Sequence, residues 1–134
     1  MITAVDTNVL LDILTNSPSF AERSLGALLQ ADAAGALIIG DIVYAELGAA
    51  FVGSGDKLHG FLDEAGIGLI PSGADALLES GRRFRHYRNA GGPRSRILPD
   101  FLIGAHALHH ANRLLTRDRG FYRSYFADLA VLEP

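Results

Sequence analysis

Four acidic residues occur in settings that ordinary surface carboxylates do not share: Asp6, Glu46, Asp100 and Asp118. Asp6 directly follows the apolar segment 2–5, and Asp118 comes two residues after the segment 113–116. Both segments have the length and the apolar character of buried strands. Active sites of open α/β sheets lie beyond the carboxyl ends of the strands. If the two strands are parallel neighbours, both carboxylates face one crevice.

Glu46 and Asp100 lie in predicted helices. Glu46 comes three residues after Val43, on the apolar face of the helix predicted for IVYAELGAAF. An ionised glutamate that faces a core is unfavourable unless a cation meets it. Asp100 follows Pro99 in the first turn of a largely apolar helix, whose N-terminus favours the charged form. Each acid also has a structural interpretation, as a cap, a dipole partner or a helix-edge residue. By chance, all four acids would converge on one crevice far less often than any one of these interpretations holds, so we favour a shared functional role.

An acidic cluster without a basic partner requires a cation, because like charges repel. The chain has no cysteine, which excludes disulfides, zinc–thiolate sites and thiol catalysis. Oxygen-only ligands suit a hard divalent ion, so the sequence predicts a site for Mg²⁺ or Mn²⁺. No glycine loop follows Asp6 to hold a phosphate directly. We therefore expect the metal to bind the acids and the phosphate to bind the metal.

The formal net charge of −3 conceals a strong asymmetry along the chain. Residues 1–81 contain 11 acids and 2 bases, whereas residues 82–134 contain 10 bases and 4 acids. Arginine guanidinium groups suit phosphates, and aromatic rings are interleaved among them. The alternative is a solvated helix face. We expect contacts with phosphate groups at Arg82, Arg85, Arg88, Arg94 and Arg96, and at Arg117 beside Asp118.

Strand and helix patterns alternate along the 134 residues, which suits one α/β domain over 1–134 with a mostly parallel sheet covered on both faces. Strands are expected at 2–5, 36–39, 67–70, 113–116 and 130–132, with helices over 9–14, 19–33, 42–51, 57–64 and 74–89, and from Pro99 onward. Asp41 is the expected N-cap of the helix that carries Glu46. No signal peptide or apolar run of membrane-spanning length is evident, so a cytoplasmic protein without a membrane association is expected.

The segments VDTNVLLDIL, VYAEL, RILPDFLIGAHA and RLLTRDRGFYRSYF, in this order, resemble the PIN-domain nucleases, specifically the VapC-type toxins of toxin–antitoxin pairs. The resemblance extends over essentially the whole chain. It implies a three-layer α/β/α sandwich and a metal-dependent endoribonuclease. The four acids of the family fall on Asp6, Glu46, Asp100 and Asp118, and its site-ordering positions fall on Asn8 and Thr116.

The resemblance also implies partners: a VapB-type antitoxin, an RNA substrate and a second copy of the chain in a homodimer. A further acid that some family members carry is absent, since Phe121 and Tyr122 follow the last acid here. Three alternatives remain open. A metal-free ribonuclease would use His106, His109 or His110, a phosphatase would need a second acid where Asn8 stands, and a non-catalytic PIN module would bind RNA or protein.

Overall fold

The computed structural model describes residues 1–51, 55–92 and 98–134, in which five strands form one sheet in the order β3-β2-β1-β4-β5. The strands are β1 (Ile2–Val5), β2 (Ala36–Ile39), β3 (Ile67–Leu69), β4 (Arg113–Leu115) and β5 (Ala130–Leu132). Every pairing among them is parallel. The prediction of a mostly parallel sheet at these positions is confirmed.

Helices connect the strands in the way that parallel pairing requires. They are α1 (Thr7–Leu14), α2 (Ala21–Ala34), α3 (Asp41–Ala50), α4 (Gly55–Ala65), α5 (Gly73–Asn89), α6 (Leu98–His110) and α7 (Arg119–Tyr125). The sequence pattern did not predict α7, because a helix of seven residues is too short to show a clear apolar period. None of the helices within the described ranges is long and apolar enough to cross a membrane.

The predicted N-cap of α3 is wrong by one residue. Gly40 occupies the N-cap position, and Asp41 is the first helical residue. The Asp41 carboxylate accepts a hydrogen bond from the Ser72 hydroxyl at 2.7 Å instead of capping its own helix. A contact with a residue 31 positions away therefore overrides the local capping preference.

The three-layer arrangement follows from burial within β1. Thr3, Ala4 and Val5 are all buried, with exposures of 0%, 2% and 1%. Because successive side chains of a strand point to opposite faces, both faces of β1 must be covered by helices. The α/β/α sandwich expected from the sequence is confirmed.

The neighbours of β1 decide where a site can form. β1 pairs with β2 on one side and with β4 on the other, with Val5 opposite Leu115. The order of strands along the chain reverses here, and ligand crevices open at such switch points beyond the carboxyl ends of the strands. Asp6 and Asp118 follow these two strand ends, as the sequence predicts for parallel neighbours.

Candidate active site

Asp6 is the buried centre of the acidic group, with 5% of its surface exposed. Its backbone N–H donates to the carbonyl of Leu115 at 2.9 Å, which fixes the end of β1 against β4. The Thr116 hydroxyl donates to Asp6 Oδ2 at 2.7 Å, and the Tyr122 hydroxyl lies 3.4 Å from the same oxygen. Burial raises the pKa of Asp6, and the hydrogen bond from Thr116 only partly opposes that rise.

Asp100 is the acid on which the charges of the other three acids act. It is half-buried in the first turn of α6. Burial is the main cause that raises its pKa to about 6, and the negative charges of Asp6, Asp118 and Glu46 raise it further, in that order. The carboxylates at the end of β1, in α3 and after β4 are thus near enough to Asp100 of α6 for their charges to act on it.

Glu46 does not face the core, contrary to the interpretation of its helical position. The side chain is exposed at the edge of α3, where the Thr7 hydroxyl donates to Oε1 at 2.6 Å. Asp118 is also exposed. The site therefore has a buried side formed by Asp6 and an open side from which a ligand can approach.

Asn8 and Thr116 lie where the resemblance implies, beside Asp6. Asn8 Nδ2 is 3.4 Å from both Asp6 Oδ2 and Thr116 Oγ1, and Asn8 Oδ1 accepts a hydrogen bond from the N–H of Arg117 at 3.2 Å. The N–H of Asp118 donates to Thr116 Oγ1 at 3.0 Å. One hydroxyl group therefore connects the first acid to the last.

Two residues of the site escaped the sequence analysis. Tyr122 is fully buried beside Asp6, and burial raises the pKa of its hydroxyl, so it stays protonated and can donate. Its position four residues after Asp118 becomes meaningful only once α7 is known to be helical. Thr7 holds Glu46, and its place between Asp6 and Asn8 was the signal that could have identified it.

The arginines predicted to bind RNA fall into three groups. Arg82, Arg85 and Arg88 are exposed on α5, whereas Arg94 and Arg96 lie outside the described residues. Arg117 forms an ion pair with Asp12, with Nε 2.7 Å from Oδ2. RNA contact by these residues stays a prediction.

Two of the three histidines of α6, His106 and His110, have structural partners. His106 and His110 place Nε2 at 2.8 Å from the Ile70 carbonyl and at 2.6 Å from the Ser72 carbonyl, respectively. Because a carbonyl oxygen only accepts, both Nε2 atoms carry the hydrogen. These bonds tie α6 to the connection between β3 and α5, so packing accounts for both residues.

The donor chemistry fits a hard divalent cation. All four side chains offer carboxylate oxygens, and a cation would offset the burial and the repulsion that together raise the pKa of Asp100. Within residues 1–51, 55–92 and 98–134, however, no three Asp, Glu or His side chains are already grouped closely enough to hold a metal ion. The acids therefore fit the ion by their chemical type and by their combined negative charge. Their side chains are not already arranged in a ligand geometry within the described residues.

Comparison with known proteins supports the resemblance. The PIN domain family matches residues 3–127. Among solved structures, the chain is similar to VapBC2 from Rickettsia felis bound to a DNA fragment from their promoter, with a TM-score of 0.74 and 22% identity over 100% of this chain and 99% of that chain. No curated protein sequence matches it.

Two further structures have the same fold. One is VapBC-1 from nontypeable Haemophilus influenzae, with a TM-score of 0.72 and 22% identity over 99% of this chain and 98% of that chain. The other is FitAcB from Neisseria gonorrhoeae, with a TM-score of 0.63 and 27% identity over 98% of this chain and 96% of that chain. The family match covers nearly the whole sequence, and the fold is the one these proteins share. The chain belongs to the PIN domain family.

Proposed function

We propose that the chain is a metal-dependent endoribonuclease and the toxin of a toxin–antitoxin pair. Membership of a family of nucleases and similarity to VapBC and FitAcB structures support a toxin nuclease. The observation that carries the metal dependence is the pKa of Asp100, about 6, which the charges of three other acids help to raise. A site that concentrates negative charge in this way needs a cation before it accepts an anionic phosphate.

In this proposal, Asp6, Glu46, Asp100 and Asp118 hold one or two Mg²⁺ ions, or Mn²⁺. When bound, such an ion supplies an activated water and neutralises charge on the scissile phosphate. The remaining residues orient the ligands. Thr116 and Tyr122 direct hydrogen bonds at Asp6, Thr7 holds the exposed Glu46, and Asn8 joins the strand ends.

RNA approaches from the open side of the site. We assign contacts with the RNA backbone to the exposed Arg82, Arg85 and Arg88 of α5, and assign the same role to Arg94 and Arg96. Such contacts add affinity and salt dependence rather than sequence choice.

The antitoxin partner is assigned to an apolar groove between α1, α2 and α4. A cavity of about 300 Å³ is lined by Ile13, Leu25, Leu28, Leu29 and Phe61, among others. Leu25 and Leu29 are 43% and 58% exposed. An amphipathic antitoxin helix would bury these leucines, in the manner of helix-in-groove recognition. A homodimer and a cytoplasmic location complete the proposal.

The proposed activity is tested with purified, antitoxin-free protein on total transfer RNA and ribosomal RNA. Mg²⁺ and Mn²⁺ are compared with EDTA, and Asp6→Asn and Asp100→Asn are compared with Asp75→Asn, an exposed acid in the first turn of α5. We expect cleavage that requires the metal and both site acids but not Asp75. Cleavage that survives EDTA and both substitutions would contradict a metal-dependent site. A folded protein that binds RNA without cutting it would indicate a non-catalytic PIN module.

A further inference from the structure

The Arg117 side chain is held by Asp12 of α1 and by Phe20, the residue that precedes α2. Its Nε donates to Asp12 Oδ2 at 2.7 Å, and its Nη2 donates to Oδ1 at 3.0 Å. Ser24 donates to the same Oδ2 at 2.7 Å, and the guanidinium carbon lies 4.0 Å from the centre of the Phe20 ring. Asp12 is only 5% exposed. A bidentate pair with arginine compensates for the burial of such a carboxylate. The Arg117 guanidinium group is thus occupied by contacts with α1 and with the N-cap residue of α2.

The backbone of Arg117 belongs to the acidic site. Arg117 is the middle residue of the connection 116–118 between β4 and α7. Its neighbours are Thr116, which donates to Asp6, and Asp118, whose charge acts on Asp100. Its own N–H donates to Asn8. The N–H of Asp118 donates to Thr116 Oγ1 at 3.0 Å. The short backbone segment that the Arg117 side chain anchors to Asp12 therefore also carries the hydroxyl group bonded to Asp6 and the last acid.

We propose that Asp12 and Arg117 are positioning residues, whose ion pair sets the place of Thr116 and Asp118 in the acidic site. This gives Arg117 a role different from the RNA contact expected of an arginine next to the last acid. The inference rests on the proposed function, because the positioning has a chemical consequence only if the acids hold a divalent ion. In this role, Asp12 and Arg117 lie outside the site and orient the carboxylates that would bind the ion.

The test measures Mn²⁺ affinity by titration calorimetry, together with kcat and KM for RNA cleavage. In Asp12→Asn and Arg117→Lys we expect the Mn²⁺ affinity and kcat to fall by about 10- to 100-fold, as for other outer partners of metal ligands. KM should change little, because no substrate contact is lost. The double variant should be no worse than the poorer single variant, because both substitutions break one ion pair.

The matched control is Glu133→Gln. Glu133 pairs with Arg119 at 3.1 Å across an exposed ion pair beside the same loop, so its loss should leave Mn²⁺ affinity and kcat unchanged. Where Asp12→Asn fails to fold, Ser24→Ala replaces it, because it removes one partner of Asp12 and keeps the ion pair. That variant should show a smaller loss in the same direction, and unchanged Mn²⁺ affinity would overturn the proposal.

Two results would assign Arg117 to the substrate instead. One is a raised KM and a flatter salt dependence of RNA binding in Arg117→Lys, while Asp12→Asn leaves Mn²⁺ affinity, kcat and KM unchanged. The other is strictly additive losses in the double variant. If the wild-type chain binds Mn²⁺ but cuts no RNA, the proposed nuclease fails, while weaker Mn²⁺ binding by Asp12→Asn still supports the positioning. If the wild-type chain binds no Mn²⁺, both proposals fail.

Discussion

Thr116 Oγ1 donates a 2.7 Å hydrogen bond to Oδ2 of Asp6, a residue 110 positions earlier in the chain. Both residues are buried, and each follows the end of one of two paired parallel strands. The bond lowers the pKa of Asp6, against the larger effect of burial. Thr116 therefore favours the charged form of Asp6, although burial has the larger and opposite effect.

Thr116→Val should destabilise the protein and reduce cleavage. Valine keeps the shape but leaves a buried carboxylate without its main hydrogen bond, which costs about 1–3 kcal/mol of unfolding free energy. Urea denaturation in EDTA measures this loss. Thr15→Val is the control, because the exposed Thr15 hydroxyl only donates to Leu11 in its own helix. Equal stability of Thr116→Val and wild type would contradict the role of this bond.

Acidification should stabilise the metal-free protein at this site. The pKa of Asp100, about 6 in the folded chain, exceeds its ordinary value of 3.8, so the folded state binds the proton more tightly than the unfolded state. The unfolding free energy then increases as the pH falls through 6 toward 4. Thermal unfolding in EDTA between pH 7.5 and pH 5 measures the trend.

Asp100→Asn should weaken that trend and raise the melting temperature at pH 7.5, because it removes the half-buried charge. Asp75→Asn should follow the wild-type curve. A melting temperature of Asp100→Asn below that of the wild type at pH 7.5 would show that the carboxylate is not under electrostatic strain.

Magnesium should stabilise the folded chain through the same acids. A ligand present at about 100 times its dissociation constant adds roughly 2.7 kcal/mol to the unfolding free energy. We expect Mg²⁺ to raise the melting temperature of the wild type and to have little effect on Asp6→Asn, with KCl at equal ionic strength as the control. An equal rise in both proteins would indicate non-specific screening.

Gly40→Ala should destabilise the fold. A Cβ atom at this position would lie 2.8 Å from the ring of His106, which is buried and bonded to Ile70. Overpacking of this kind costs about 1–3 kcal/mol. Gly60→Ala in α4 meets no atom within 4 Å and should be neutral or stabilising. The denaturation midpoint should therefore fall in Gly40→Ala and should stay unchanged or rise in Gly60→Ala. An unchanged midpoint in Gly40→Ala would show that the His106 ring can move aside.

Replacing Arg85 and Arg88 together by alanine should weaken RNA binding and flatten its dependence on salt. Each lost phosphate contact lowers the salt slope by about one unit or slightly less. Filter binding over a range of salt concentrations measures this slope, with Arg23→Ala on α2 as the control. An unchanged slope would remove α5 from the RNA-binding surface.

The sequence alone was enough to predict the sheet and to propose the four acids as a site. Strand β1 and strand β4 are short apolar segments that end next to Asp6 and Asp118, and local patterning is enough to recognise such buried strands. The four unusual acids and the absence of cysteine also predicted a metal site with oxygen ligands. The motif order was sufficient to indicate the family.

Only the tertiary structure decided how the acids are held. Glu46 was expected to face the core but is exposed and bonded to Thr7, because helical periodicity does not specify how the edge of a helix meets its neighbour. The contact of Tyr122 with Asp6 and the ion pair of Arg117 with Asp12 each connect residues more than 100 positions apart in the sequence. Such contacts leave no local pattern, since they exist only after β1 and β4 have paired and α1, α2 and α7 have packed around them.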